Sequence, residues 1–302
     1  MSRLSGTRMK TISHSQMDSW QKCRLKWFYR YDTNIELPTQ SPPLASGKAV
    51  HTVVEEALSG NIESNDIIPL ASAALEHEFH GREDPQELVE RYLPGVVRAI
   101  SRVPSWAYEY TDWKVEEEVG HTYYCDDHKE FDIPLPLPHA AKYTAEAKSC
   151  QACFRFHGFI DLYRVTEDSI ELVDIKSSSK ELDPKNLMLF NPQLPYYAVQ
   201  LRRMYPGKPI FIRYIIVSTA AKTKKETIEH EPWLFPNKLL DKSEKMLIEL
   251  GREVGALPIL PSYSSFACGW CDYSKICTAS VLGIKGGEAA AIEEFYVERE
   301  RD

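Results

Sequence analysis

No run of roughly 18 apolar residues occurs in this chain, so no membrane-spanning helix is expected. The opening residues, MSRLSGTRMKTISHSQ, lack the apolar centre of an export signal, and an intracellular, cytoplasmic setting is expected. Basic charge is not in excess. Thirty-six Lys and Arg stand against 44 Asp and Glu, a formal net charge of -8. That removes a global signature for polyanion binding, although local basic patches can still provide one. No internal repeat is visible. Cysteine, by contrast, is present seven times. In a reducing compartment those thiols are better read as metal ligands or buried groups than as disulfides.

What is present suits a globular chain: 43% of residues are hydrophobic and 26% charged, over 302 residues. Helical periodicity is expected over 13–31, 48–58, 69–80, 85–103, 191–206 and 238–255. Strands are expected over 113–124, 154–165, 169–177 and 209–219. Ser13 and Gln16 have capping-box spacing. A Pro- and Ser-rich loop is expected around PTQSPPLASG, and residues 125–153, with PLPLP inside, read as an insertion. This order predicts an α/β (α+β) fold with a small mixed sheet. One domain is expected over 1–280. It comprises an N-terminal cysteine-bearing helix at 12–37, a sheet core at 104–220 and a cysteine-rich segment at 258–280. A charged, partly disordered tail is expected over 281–302.

The stretch ELVDIKSSSK, residues 171–180, carries the first chemistry. Leu172, Val173 and Ile175 suit a strand, yet Asp174 and Lys176 stand inside it and would share a face. Upstream, Asp161 lies in the apolar run GFIDLY. If the two strands are neighbours, both carboxylates reach one end of the sheet. Paired carboxylates are costly unless a cation neutralises them, and a hard divalent metal does so with oxygen ligands. A lysine beside them can hold a water or stabilise charge developing on a phosphate. Metal plus lysine suits phosphodiester hydrolysis. Taken alone, Asp174 and Lys176 read better as a surface ion pair on an edge strand.

Two helices add to the set. His51 and Glu55 are one turn apart on one, and Gln193 and Tyr197 on the other. The ordered series Gly47-x3-His51-x3-Glu55, Gly158-x2-Asp161, Asp174-x-Lys176 and Gln193-x3-Tyr197 resembles the RecB-type branch of the PD-(D/E)XK nuclease superfamily, over about residues 12–280. The resemblance implies a restriction-endonuclease-like core, a mixed β-sheet flanked by helices. It implies Mg²⁺ or Mn²⁺ on His51, Asp161, Asp174 and the main-chain carbonyl of Ile175. Lys176 would be the catalytic lysine. Gln193 and Tyr197 would position DNA or the site, and Glu55 joins the catalytic group. Ile160 stands where the superfamily's name has proline.

Cys268, Cys271 and Cys277 form C-x2-C-x5-C, a spacing that lets a short loop wrap a metal or cluster. Cys23 is the natural fourth ligand. Four cysteines suit Zn²⁺ as well as an iron–sulfur cluster. The resemblance extends to iron–sulfur members of the family, among them helicase–nuclease subunits and CRISPR-associated nucleases. It therefore implies a [4Fe–4S] cluster joining the N- and C-terminal segments. Cys150 and Cys153 form a second C-x2-C, with Cys125-x2-His128 before it. A Cys3His zinc site pinning the insertion is one reading; two loop thiols and a solvated histidine are the other.

Lys22, Arg24, Lys26 and Arg30 interleave with Trp27, Phe28 and Tyr29, a pattern that can meet phosphates and bases. Equally, Trp27 and Tyr31 can form a buried face with the basic residues solvated. Lys180, Lys185, Lys222, Lys224 and Lys225 are further candidates for a DNA groove. No G-x4-G-K-[ST] occurs, so any unwinding would come from a partner. The expectation is a metal-dependent deoxyribonuclease, an exonuclease on single-stranded DNA or DNA ends. It would act in recombination, repair or DNA processing, alone or with a helicase, recombinase or integration complex. The alternative is a DNA-end-binding scaffold subunit of the same fold. The intact His51, Asp161, Asp174 and Lys176 set speaks against that.

Overall fold

In the computed structural model, the described residues are 9–37, 41–131, 150, 152–223, 225–229, 231–263, 268–269 and 271–298. In chain order, β1 (Lys10–Ser13) leads into α1 (His14–Lys22) and α2 (Arg24–Trp27), a π-helical turn over Phe28–Asp32, and β2 (Ile35–Glu36). Helices α3 (Pro42–Leu58), α4 (Ile67–Phe79), α5 (Pro85–Ser101) and α6 (Ser105–Glu109) follow. Then come β3 (Lys114–Tyr123), β4 (Phe154–Val165), β5 (Ile170–Ser178), α7 (Pro184–Phe190), α8 (Gln193–Met204) and β6 (Ile210–Ser218). Short strands β7 (Thr227–Glu229) and β8 (Trp233–Leu234) precede α9 (Asn237–Glu253). The last elements are α10 (Ser274–Val281), α11 (Gly287–Phe295) and β9 (Val297–Glu298). The fold class is the expected one, α/β with a mixed sheet flanked by helices. Among the described residues, no helix is long and apolar enough to cross a membrane.

The stretch 1–280, expected as one domain, is divided between two compact units. One takes residues 39–119 and 158–244; the other takes 1–38, 120–157 and 245–302.

In the first unit, β5 lies between an antiparallel β4 and a parallel β6, and β7 and β8 pair antiparallel with β6. β5 is therefore a central strand. Its near-continuous burial from Ile170 to Ile175 is what a strand covered on both faces requires. Val173 and Ile175, with Ile215 and Val217 of β6, face a core made by α3, α4 and α5, including Ala49, Val53, Leu75, Val96 and Ile100. Burying each large apolar side chain there contributes about 1.5–3 kcal/mol. The alternate face of β5 carries Leu172, Asp174 and Lys176. Helix α8 lies against both β5 and β6. α3 starts at Pro42, earlier than the expected loop around PTQSPPLASG allows. Its two prolines occupy the first turn, where the missing N–H has no intrahelical partner to lose.

In the second unit, β1 pairs parallel with β4 from Lys10–Phe154 to Ser13–His157. Ser13 caps α1, its Oγ accepting from the Gln16 N–H at 3.3 Å. The Gln16 side chain bonds the Thr11 carbonyl, so only half of the expected capping box forms. The helix expected over 13–31 breaks at Cys23, whose backbone is extended. Its apolar face survives the break, with Trp20 and Trp27 meeting edge to face at 4.9 Å. Gly251 of α9 passes directly over the Phe154 ring, where a Cβ has no room. The segment expected as a charged tail contains α11 and β9, and β9 pairs with β2. Its charge count hid an apolar edge: Ala291 and Tyr296 are buried with Tyr29, Ile35, Tyr273 and Ile276.

Candidate active site

The backbone ladder between β4 and β5 runs as far as Leu162–Val173. Asp161 and Asp174 come next on their strands. There the ladder gives way to side-chain bonding: the Ile175 N–H donates to Asp161 Oδ2 at 3.0 Å. The period of two puts Asp174 and Lys176 on one face, and Lys176 Nζ donates to Asp174 Oδ1 at 2.8 Å. The same ammonium donates to Gln193 Oε1 at 3.2 Å, from the first turn of α8. Gln193 is held in turn by Asn191, whose Oδ1 accepts its N–H at 3.0 Å. One turn along α8, the Tyr197 ring covers Gly158; a Cβ there would lie 2.6 Å from a ring carbon. That close approach explains the glycine of GFIDLY. From α3, His51 Nδ1 stands 3.7 Å from Asp161 Oδ2. Glu55, one turn on, lines the same small cleft of about 10 Å³ with Glu116 and Ile175. All the expected acid, histidine, lysine, glutamine and tyrosine positions thus meet in the first unit.

Glu116 is the residue that sequence reasoning missed. Its ligand oxygen, one of Asp161 and a ring nitrogen of His51 lie within 4.8 Å of one another. WKVEEEV offers three glutamates in a row, and strict alternation cannot select one. The backbone selects it. Glu116 has φ 47°, a left-handed conformation that costs a non-glycine residue on the order of 1 kcal/mol. Neighbouring Glu117 instead accepts from the Tyr163 hydroxyl at 2.8 Å.

The charges are out of balance in one direction. Asp174 is 1% exposed, and its Oδ2 has no hydrogen-bond partner among the described residues. Burial drives the Asp174 carboxyl upward, Asp161 adds to this, and Lys176 opposes it. Burial also works against the Lys176 charge, but Asp174, Asp161 and Glu116 outweigh it and hold the ammonium above its usual value. Glu116 is pushed up to about 7 by burial and then by Asp161, Glu55 and Asp174. Glu55 is raised by burial, then by Glu56 and Asp161, with His51 opposing. Burial and the charges of Asp161 and Asp174 raise Tyr197, while its hydrogen bond with Gln193 works the other way. A surplus of carboxylates, an imidazole and one bare buried oxygen fit a hard divalent cation.

A second cavity of about 450 Å³ in this unit is lined by Gly47, Arg91, Arg98 and Ser177–Ser179. Arg91 and Arg98 lay inside a helix pattern and gave no sequence signal. Of the basic residues expected on nucleic acid, Lys22, Arg24 and Lys26 pair with Asp18, Glu253 and Asp272. Lys180, Lys185, Lys222 and Lys225 are exposed, and Lys224 lies outside the described residues.

In the second unit, Cys23, Cys268, Cys271 and Cys277 line one cavity of about 240 Å³. The break at Cys23 frees its sulfur, which accepts from the Ser262 N–H at 3.4 Å. The Cys277 thiol is raised by burial and then by Cys23, Cys271 and Cys268. The four expected cysteines therefore come together.

A mixed sheet flanked by helices, with a buried acid–lysine pair beside a second acid and a helical histidine, defines a metal-binding nuclease class. The model of the PD-(D/E)XK nuclease superfamily matches residues 11–278, and the chain belongs to that superfamily. Two solved structures match over most of the chain at low identity. The crystal structure of SSO0001 has 12% identity and a TM-score of 0.42, covering 91% of this chain and 90% of that one. A candidate exonuclease from Eubacterium rectale has 12% identity and a TM-score of 0.47, covering 85% and 86%. Among curated proteins, none matches the sequence.

Proposed function

We propose that this nuclease is a metal-dependent deoxyribonuclease, an exonuclease on single-stranded DNA or DNA ends, of the RecB-type iron–sulfur branch. It would serve recombination, repair or DNA processing, with a helicase, recombinase or integration complex as the kind of partner. The observation that carries the reading is the buried Asp174, tied to Lys176 through one oxygen and bare at the other, beside Asp161. His51, Asp161, Asp174 and the Ile175 carbonyl would hold Mg²⁺ or Mn²⁺, and Glu116 joins them. When bound, such an ion supplies positive charge to the attacked phosphate and acidifies a bound water. Against burial, Asp174 and Asp161 hold the Lys176 ammonium above its usual value. Lys176 aims that ammonium where negative charge grows on the phosphate. Gln193 fixes that ammonium, and Tyr197 supports Gln193. Arg91, Arg98 and the serines after Lys176 suit the neighbouring phosphates of a strand.

Cys23, Cys268, Cys271 and Cys277 would hold a [4Fe–4S] cluster as a structural staple. The four cysteines line one cavity of about 240 Å³, and the resemblance to iron–sulfur members of the family favours the cluster over Zn²⁺ there.

The test is cleavage of end-labelled single- and double-stranded DNA by protein purified without oxygen, with Mg²⁺ or Mn²⁺. Wild type should degrade from an end and Asp174→Ala should not. Binding without cleavage by the wild type would sink the catalytic reading and favour a scaffold.

A further inference from the structure

The excursion between β3 and β4 begins with Cys125 and His128 and ends with Cys150 and Cys153. The family site does not use these residues. Each pair closes a tight turn: the His128 N–H donates to the Cys125 carbonyl at 3.0 Å, and the Cys153 N–H to the Cys150 carbonyl at 3.3 Å. A turn of this kind brings residues three apart to one side, and the two turns face each other. Cys125 Sγ lies 3.1 Å from His128 Nδ1 and 3.6 Å from Cys150 Sγ. Cys153 Sγ lies 3.7 Å from His128 Nδ1. All four donor atoms fall within 4.8 Å of one another.

We propose that Cys125, His128, Cys150 and Cys153 form a structural zinc site that closes the base of this excursion. Bonds of about 2.3 Å to sulfur and 2.0–2.1 Å to nitrogen give a tetrahedron with edges of roughly 3.5–3.8 Å; the 3.6 and 3.7 Å separations match it, and Cys125 and His128 stand closer, at 3.1 Å. The space enclosed suits one ion. Three sulfurs and an imidazole select zinc over Mg²⁺ or Ca²⁺, which take oxygen ligands.

Main-chain amides reach two of the three ligand sulfurs. The Cys125 N–H donates to Cys153 Sγ at 3.3 Å, and the Ala152 and Cys153 amides point at the Cys150 sulfur. Amides aimed at ligand sulfurs orient them and stabilise their charge. Cys153 is fully buried and Cys125 nearly so, in a small cluster with Met9 and Tyr124. None of the cysteines is disulfide-bonded. Thiols can pack as small apolar groups, but packing alone does not account for an imidazole nitrogen set against two of the three sulfurs. The ligands flank residues 129–149, and one ion would hold both ends of that stretch together.

The test uses the full chain, purified without oxygen and supplied with Zn²⁺. Elemental mass spectrometry should show one equivalent of zinc that Cys150→Ser removes and Cys271→Ser leaves in place. Cys150 is the half-buried cysteine of the set, so its replacement disturbs packing least. Unchanged zinc in Cys150→Ser overturns the assignment. A second measurement needs no variant. Wild type is alkylated with iodoacetamide before and after chelation and read peptide by peptide. Protection of Cys125, Cys150 and Cys153 that chelation abolishes supports the site. Equal labelling in both states, or recovery of any two of these cysteines as a disulfide, refutes it.

Discussion

Asp174 and Lys176 answer each other inside the sheet, and neither is comfortable without the other. Removing one partner of a buried pair leaves an uncompensated charge. Lys176→Met should therefore destabilise the fold by about 3–5 kcal/mol, measured by urea denaturation, and slow single-turnover cleavage about 10²–10³-fold. Lys176→Met combined with Asp174→Asn should be less destabilised than Lys176→Met alone, because the orphaned charge goes too. Glu116 makes a sharper test, since its position follows from one unusual backbone angle. Glu116→Gln should weaken Mn²⁺ binding at least about tenfold by isothermal titration, the lower end of the loss when a supporting group leaves a metal site. Unchanged affinity would remove Glu116 from the ligand group.

Elements place these residues by close packing. α8 approaches β4 so nearly that only glycine fits at 158, under the Tyr197 ring. Gly158→Ala should lower stability by about 1–3 kcal/mol, and adding Tyr197→Leu should recover most of it in thermal melts. β1 is tied to the end of α9 by Lys10, whose Nζ donates to the Arg252 and Val254 carbonyls at 3.0 and 2.8 Å. Burial lowers this lysine to about 8 from an ordinary 10.5. Between those values the unfolded chain binds the extra proton, so this group's contribution to stability rises with pH and is smallest below pH 8. The urea midpoint of wild type relative to Lys10→Met should therefore climb from pH 8 to pH 10. A flat difference would mean Lys10 is not held low. The elements also show what was legible. β4, β5 and β6 could be read because strands covered on both faces are written as apolar runs. The break at Cys23 and the early start of α3 could not, since local periodicity favours a continuous helix in one case and proline suggests a loop in the other.

Over the whole chain, the proposed cysteine sites would close long loops between residues far apart in sequence. Cys23→Ser should bleach the visible absorption of protein purified without oxygen. It should lower the melting temperature by roughly 5–15 °C, if a cluster restrains the unfolded chain as a disulfide does. An unchanged spectrum would leave Cys23 outside the ligand set. His51 with Glu55, Asp174 with Lys176 and Gln193 with Tyr197 were legible without coordinates, because each pair sits at a helical or strand period; what joined them to Asp161 as one set was the resemblance to the RecB-type nucleases. The cysteine trio with its distant partner was legible too. Two things were not. That Asp174 is buried depends on β5 having neighbours on both sides, which no local pattern states. That Glu116 rather than Glu117 or Glu118 reaches His51 depends on one left-handed residue within β3. For Cys125, His128, Cys150 and Cys153 the sequence left two readings open, and the pairing of β3 with β4 brings the four together. Residue type and spacing set which chemistry is possible. Pairing between distant segments, rewarded only once their core is buried, decided which atoms meet.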